Sequence, residues 1–191
     1  MRARLIDPGA IFAGWVGLGM ALVIVIAFAL IIPLQTVPFL MAPFAGVLIG
    51  VYANVRAERW RPRARVLANA AWAGLVTGVG LALLYMVIRL VFLYGDTGAM
   101  PDGTRIACEA GPGCVYTRYV MAGDASDLAL RGITNASLYE TEFITRDLPI
   151  SGIALIVLTV GGSLMGGAVR TFAPRPTSLP LPSAAPRMAG Q

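Results

Sequence analysis

The chain has 191 residues, of which 57% are hydrophobic and only 13% charged, with a mean hydropathy of +0.74. Soluble domains carry roughly 25% charged residues, and a water-soluble fold would have nowhere to bury this much apolar surface. All fifteen basic residues are arginine, histidine is absent, and the formal net charge is +5. This excludes His-ligated metals and haem, Ser/His and Cys/His nucleophile pairs, imidazole relays, Schiff bases and the P-loop lysine, so no catalytic residue, metal or cofactor is expected.

In chain order, four apolar stretches approach the roughly 20 residues that cross about 30 Å of hydrocarbon as a helix. The first, residues 11–32, contains no charge. Arg2 and Arg4 precede it as in a signal peptide. Its apolar run nevertheless exceeds the roughly 15-residue limit of such segments, and no small-residue cleavage site follows, so an uncleaved helix is expected. The second, residues 39–55, carries Pro43 near its start. The third, residues 66–94, is long enough to tilt. The fourth, residues 149–170, follows Asp147 as N-cap with Pro149 in its first turn. The expected fold class is an all-α integral membrane protein with four transmembrane helices and a small extracytoplasmic α+β-like segment between helices 3 and 4. The units are 1–94 (tail and three spans), 95–148 (extracytoplasmic), 149–170 (fourth span) and 171–191 (a disordered, Pro-rich tail).

Arginine placement sets the expected orientation, because short cytoplasmic loops retain positive charge. Arg56, Arg59, Arg61, Arg63 and Arg65 lie between the second and third stretches, opposed only by Glu58. Arg2 and Arg4 at the start, and Arg170, Arg175 and Arg187 at the end, fall on the same side of a four-span arrangement. Residues 95–148, with eight acidic residues and four arginines, fall on the other. A multi-pass cell-membrane protein with both termini cytoplasmic is therefore expected. The five-arginine loop is read as a topology determinant that also attracts anionic lipid headgroups, with Trp60 as an interfacial anchor, so the basic charge does not argue for nucleic acid.

Small residues four apart recur in every stretch: Ala13 with Gly17, Gly46 with Gly50, Gly74 with Gly78, and Gly162 with Gly166. Such pairs share a helix face and allow close backbone approach. The likeness of Gly17-Leu18-Gly19 to Gly78-Val79-Gly80 and of Gly46–Gly50 to Gly162–Gly166 suggests two copies of a helical hairpin, with chance as the rival in glycine-rich apolar sequence. Either internal packing or contact with other subunits would use these faces.

Arg89 is the only charge expected inside the hydrocarbon, since Arg170 stands at the very end of the fourth stretch. An intramembrane charge is a functional-site hypothesis by default, but one so close to the end of the stretch is also placed to snorkel to the headgroups. In the 95–148 segment, Cys108 and Cys114 flank a Gly-Pro-Gly turn, and a disulfide between them is expected outside the cytoplasm. Val115–Val120 is β-branched and aromatic and reads as a strand, paired with the stretch around Ile106. Ser126–Arg131 reads as a short helix ended by Gly132, and 137–147 as an amphipathic lead into the fourth span.

Without catalytic constellations or polar spans, the leading expectation is a small structural or accessory membrane subunit. It would act through helix packing and its extracytoplasmic segment, with the lipid bilayer and other membrane subunits or a second copy as partners and no nucleic acid. The alternatives are a transporter or channel component working as an oligomer around Arg89, and a membrane enzyme using the extracytoplasmic carboxylates on lipid or envelope precursors.

Overall fold

Proline presets the backbone angle of a first helical turn and gives up a donor that has no partner there, and Pro8 opens α1 (Pro8–Val25) in this way. In the computed structural model, which describes residues 6–31, 35–55, 62–99 and 104–172, α1 runs on through a π-helical turn, Ile26–Ile31. α2 (Val37–Val55) and α3 (Arg63–Gly95) follow. Then come α4 (Pro112–Tyr119), a π-helical turn (Val120–Asp124) and α5 (Ala125–Leu130). α6 (Ala136–Glu142) passes through a third π-helical turn (Phe143–Asp147) into α7 (Leu148–Phe172). Among the described residues, four helices are long and apolar enough to span a membrane: Pro8–Leu30, Val37–Val55, Arg63–Gly95 and Ala136–Phe172.

α2 and α3 touch at the centre of the bundle, α7 packs against both, and α1 lies against both on the other side. The α2–α7 contact is reciprocal. A Cβ at Gly46 would collide with the Thr159 carbonyl and stand 2.9 Å from the Ser163 nitrogen, and one at Gly50 would come within 2.8 Å of the Ser163 Cα. From the other helix, a Cβ at Gly162 would come within 2.9 Å of the Pro43 Cα, and one at Gly166 would strike the Val47 carbonyl. Hydrogen in place of a side chain lets the two backbones meet, which maximises dispersion contacts between them. On α3, Gly74 and Gly78 receive Val160 and Ile156 of α7 in the same manner, while Gly17 of α1 faces Thr77 of α3 and Ala13 is buried among Ile49, Ala53 and Ala73. The leucine, valine and phenylalanine side chains on the opposite helix faces point outward, as in Trp15, Phe44, Leu83 and Val157.

Residues 104–134, with α6, cap one end of the bundle, and here the structure departs from the sequence reading twice. The expected strand over Val115–Val120 is helical, in α4 and the turn after it; among the described residues no strand occurs, only an isolated bridge between Ala99 and Arg105. The physical reason is the accounting of backbone donors. Gly111, at φ +134°, and Pro112 start a helix in which the Cys114 and Val115 N–H groups bond to the Gly111 carbonyl. A lone strand would have no partner for its N–H and C=O groups, a cost that outweighs the side-chain preference of Val115 and Thr117.

The second departure concerns the fourth span. Asp147 is not its N-cap, because the helix continues without a break from Ala136. Pro149 is tolerated inside it since the preceding turn is π-helical, with the Leu148 N–H bonded to the Phe143 carbonyl five residues back. The short helix expected before Gly132 is α5, and Gly132, at φ +78°, ends it.

Candidate functional site

Arg89 lies on α3 at the capped end, less than two turns before Gly95. Its Nη1 donates to Gln35 Oε1 in the α1–α2 turn, and its guanidinium carbon stands 4.9 Å over the Phe143 ring. Among the described residues no carboxylate forms an ion pair with it. Arg89 and Gln35 also line a crevice between bundle and cap. Phe92 and Leu93 of α3, Val115, Arg118 and Tyr119 of α4, Tyr139 of α6, and Phe143 form its walls. The crevice is small, about 40 Å³, which accommodates a few waters.

Aromatic packing sets this wall. Tyr139 is buried and lies 5.8 Å from the Tyr119 ring, 6.3 Å from Tyr116 and 6.3 Å from Phe143. Helical periodicity places Tyr139 and Phe143 on one face of the α6–α7 helix, and the same period stacks Val115 and Tyr119 on α4. Leu93, Val115, Leu128, Ile133, Tyr139, Phe143 and Leu148 form one apolar cluster, so cap and bundle share a core.

Asp96, immediately after α3, fastens the cap. Its Oδ2 is 2.7 Å from Arg118 Nη2, its Oδ1 accepts the Gly98 N–H at 2.8 Å, and its carbonyl accepts the Gly111 N–H at 3.2 Å. The Asp96 side chain is only 7% exposed, so the pair is shielded from water on the acidic side. Cys108 and Cys114 are joined and rest on Gly98, where a Cβ would come within 2.6 Å of the Cys108 sulfur and the φ of +76° disfavours any side chain. Two further cap carboxylates are also engaged: Glu140 accepts from Tyr94 Oη at 2.7 Å, and Glu142 pairs with Arg146 at 2.7 Å.

At the opposite end, Asp7 is 4% exposed and meets Asn69 of α3 through two hydrogen bonds. Asn54 donates from Nδ2 to the Gly50 and Val66 carbonyls, and its buried Oδ1 has no hydrogen-bond partner among the described residues. The hydroxyls within the spans turn to backbone carbonyls: Thr77 to Ala73, Thr159 to Leu155, and Ser163 across the helix interface to Ala70.

The residues singled out in the sequence therefore separate. Ala13, Gly17, Gly46, Gly50, Gly74, Gly78, Gly162 and Gly166 are buried in the bundle, and Arg89 is at its capped end. Arg63 and Arg65 open α3 at the other end, where Arg63 lies 6.0 Å over the Phe172 ring. Arg56, Arg59, Arg61, Trp60 and the tail beyond Phe172 lie outside the described residues. Sequence reasoning did not single out Asp7, Asp96, Arg118 or the tyrosine wall. For Asp7 and Asp96 the signal was a carboxylate at the edge of an apolar run, where a buried partner is needed.

No protein-family model matches the chain, and no curated protein or solved structure is significantly similar to it.

Proposed function

We propose that this protein is an accessory subunit of a membrane assembly, a glycine-packed four-helix anchor that holds a cap against which another protein docks. The observation that carries this reading is apolar surface on the cap, away from the bundle. Leu130 is 86% exposed and Met121 64% exposed, with Val120, Tyr119 and Leu138 also at the surface. A contiguous apolar patch on an extramembrane segment marks an interface, and these side chains are the ones that would form it. The small-residue faces support the anchor role and not the docking role, since they are consumed within the chain.

In the proposed orientation both termini are cytoplasmic and the cap is extracytoplasmic. Arginine distribution supports this, as does a joined cysteine pair, which persists in oxidising compartments. A conduction path along the bundle axis has less support: the described polar side chains there are tied to backbone carbonyls or to each other. An enzymatic role for the cap carboxylates likewise has less support, because Asp96, Glu140 and Glu142 are held in pairs.

Extraction of native membranes in a mild detergent, followed by sizing and identification of co-migrating proteins, tests the proposal. A stoichiometric complex with a different membrane protein, lost in Leu130→Asp or Met121→Asp, is expected. Recovery solely as a monomer or homo-oligomer overturns it.

A further inference from the structure

The crevice between bundle and cap holds an arginine with no acidic partner among the described residues, and its position along α3 bears on what it binds. Twenty residues from Val66, at about 1.5 Å each, traverse roughly 30 Å of hydrocarbon. With the hydrocarbon taken to begin at Val66, Arg89 would stand three residues beyond its far edge, near the phosphate layer. Gln35 and Phe143 hold its guanidinium from two sides, and Arg89 itself lines the crevice. Arg118 and the hydroxyl-bearing Tyr119 and Tyr139 line the same space. Asp96 neutralises Arg118, which leaves Arg89 as the one guanidinium of the lining that makes no ion pair among the described residues, and the lining itself contains no carboxylate. Five donors in a planar fork match the tetrahedral oxygens of a phosphate. An arginine held against an aromatic face loses little rotamer freedom on binding.

We infer that this crevice is a binding site for a single phosphate-type oxyanion, with Arg89 as its principal donor and Arg118, Tyr119 and Tyr139 as supporting polar groups. The volume suits a phosphate group alone, so whatever carries the phosphate remains outside the crevice, in the lipid or in water. The charge of the site matches one phosphodiester, as in an anionic phospholipid headgroup, or one inorganic phosphate ion. Neither source depends on the accessory-subunit reading.

The experiment uses the full-length protein purified in a mild non-ionic detergent. Native mass spectrometry and thermal unfolding are recorded with added phosphatidylglycerol in one arm and inorganic phosphate in the other, with chloride at equal ionic strength as control. One saturable phosphatidylglycerol per chain with a raised Tm, and no effect of inorganic phosphate, assigns the site to lipid. The reverse pattern assigns it to the free ion. In either case Arg89→Gln weakens binding about tenfold or more while preserving a hydrogen-bonding group toward Gln35, and Arg89→Lys restores part of the loss. Absence of saturable binding of either ligand to the wild-type protein overturns the inference, and this outcome does not depend on any variant folding. Wild-type affinity in a folded Arg89→Gln protein overturns it as well.

Discussion

Asp7 and Asn69, 62 positions apart, clasp the start of α1 to α3 by hydrogen bonds running in opposite directions: Asn69 Nδ2 donates to Asp7 Oδ2 at 2.8 Å, and the Asp7 N–H donates to Asn69 Oδ1 at 3.1 Å. The carboxylate would otherwise help to cap α1, yet it makes no side-chain cap bond and turns inward to the amide instead. Asn69→Leu removes that amide from a buried carboxylate and should cost about 1–3 kcal/mol. Unfolding of the purified protein by titration with a denaturing detergent, followed by circular dichroism, measures this. Unchanged stability would show that the pair contributes nothing.

Glycine at the α2–α7 contact should be intolerant of even one carbon. Gly50→Ala drives a methyl against the Ser163 backbone, which a side-chain rotation cannot relieve, and a cost of about 1–3 kcal/mol is expected. Gly19→Ala on the outward face of α1 meets nothing within 4 Å, and the same unfolding assay should return wild-type stability or slightly more. Equal effects of the two substitutions would contradict the packing described above.

Loosening of the cap without loss of the bundle is expected from Asp96→Asn. The neutral amide loses the ion pair to Arg118 and weakens the bond from the Gly98 N–H, a change of about 2 kcal/mol. Faster amide hydrogen exchange over α4 and α5, with exchange in α2 and the α3 core unchanged, is the expected pattern. If exchange accelerates in all helices alike, cap and bundle unfold as one unit.

The pairing of Cys108 and Cys114, six positions apart, predicts no maleimide labelling of the protein unfolded without reductant, and two labels after reduction. Replacement of both by serine should cost about 2 kcal/mol, the value for closing so short a loop. Two free thiols in protein freshly isolated from the native membrane would place the cap in a reducing compartment and reverse the proposed orientation. As an independent check, a fluorescent protein that matures only in the cytoplasm, fused to Gln191, should fluoresce.

Much of the architecture was legible because it rests on short-range chemistry. The four apolar stretches are visible from composition alone, and their ends moved by only a few residues in the first three. Small residues four apart marked the faces that carry the α2–α7 and α3–α7 contacts, since helical geometry places them together whatever the neighbour. The cap was legible only in part. Val115–Val120 has the side chains of a strand, but strand formation depends on a partner, and the neighbouring chain supplies only the Ala99–Arg105 bridge. At Pro149, a residue that normally marks a helix start sits inside a continuous helix because the turn before it is π-helical, and this register is not encoded in the proline itself.

The sequence by itself determined where the helices long and apolar enough to span a membrane lie, which of their faces admit close approach, and that Cys108 can reach Cys114 across a Gly-Pro-Gly turn. Only the tertiary structure decided which helices use those faces on each other, that Asp7 finds Asn69, and that Arg89 meets Gln35 and Phe143 with no acidic partner among the described residues. Spanning and facing follow from the burial of a residue's own neighbours along the chain. The pairings depend on which distant groups the folded bundle brings within about 3 Å of one another, and in an apolar interior each polar group must find such a partner or bear the cost of burial without one.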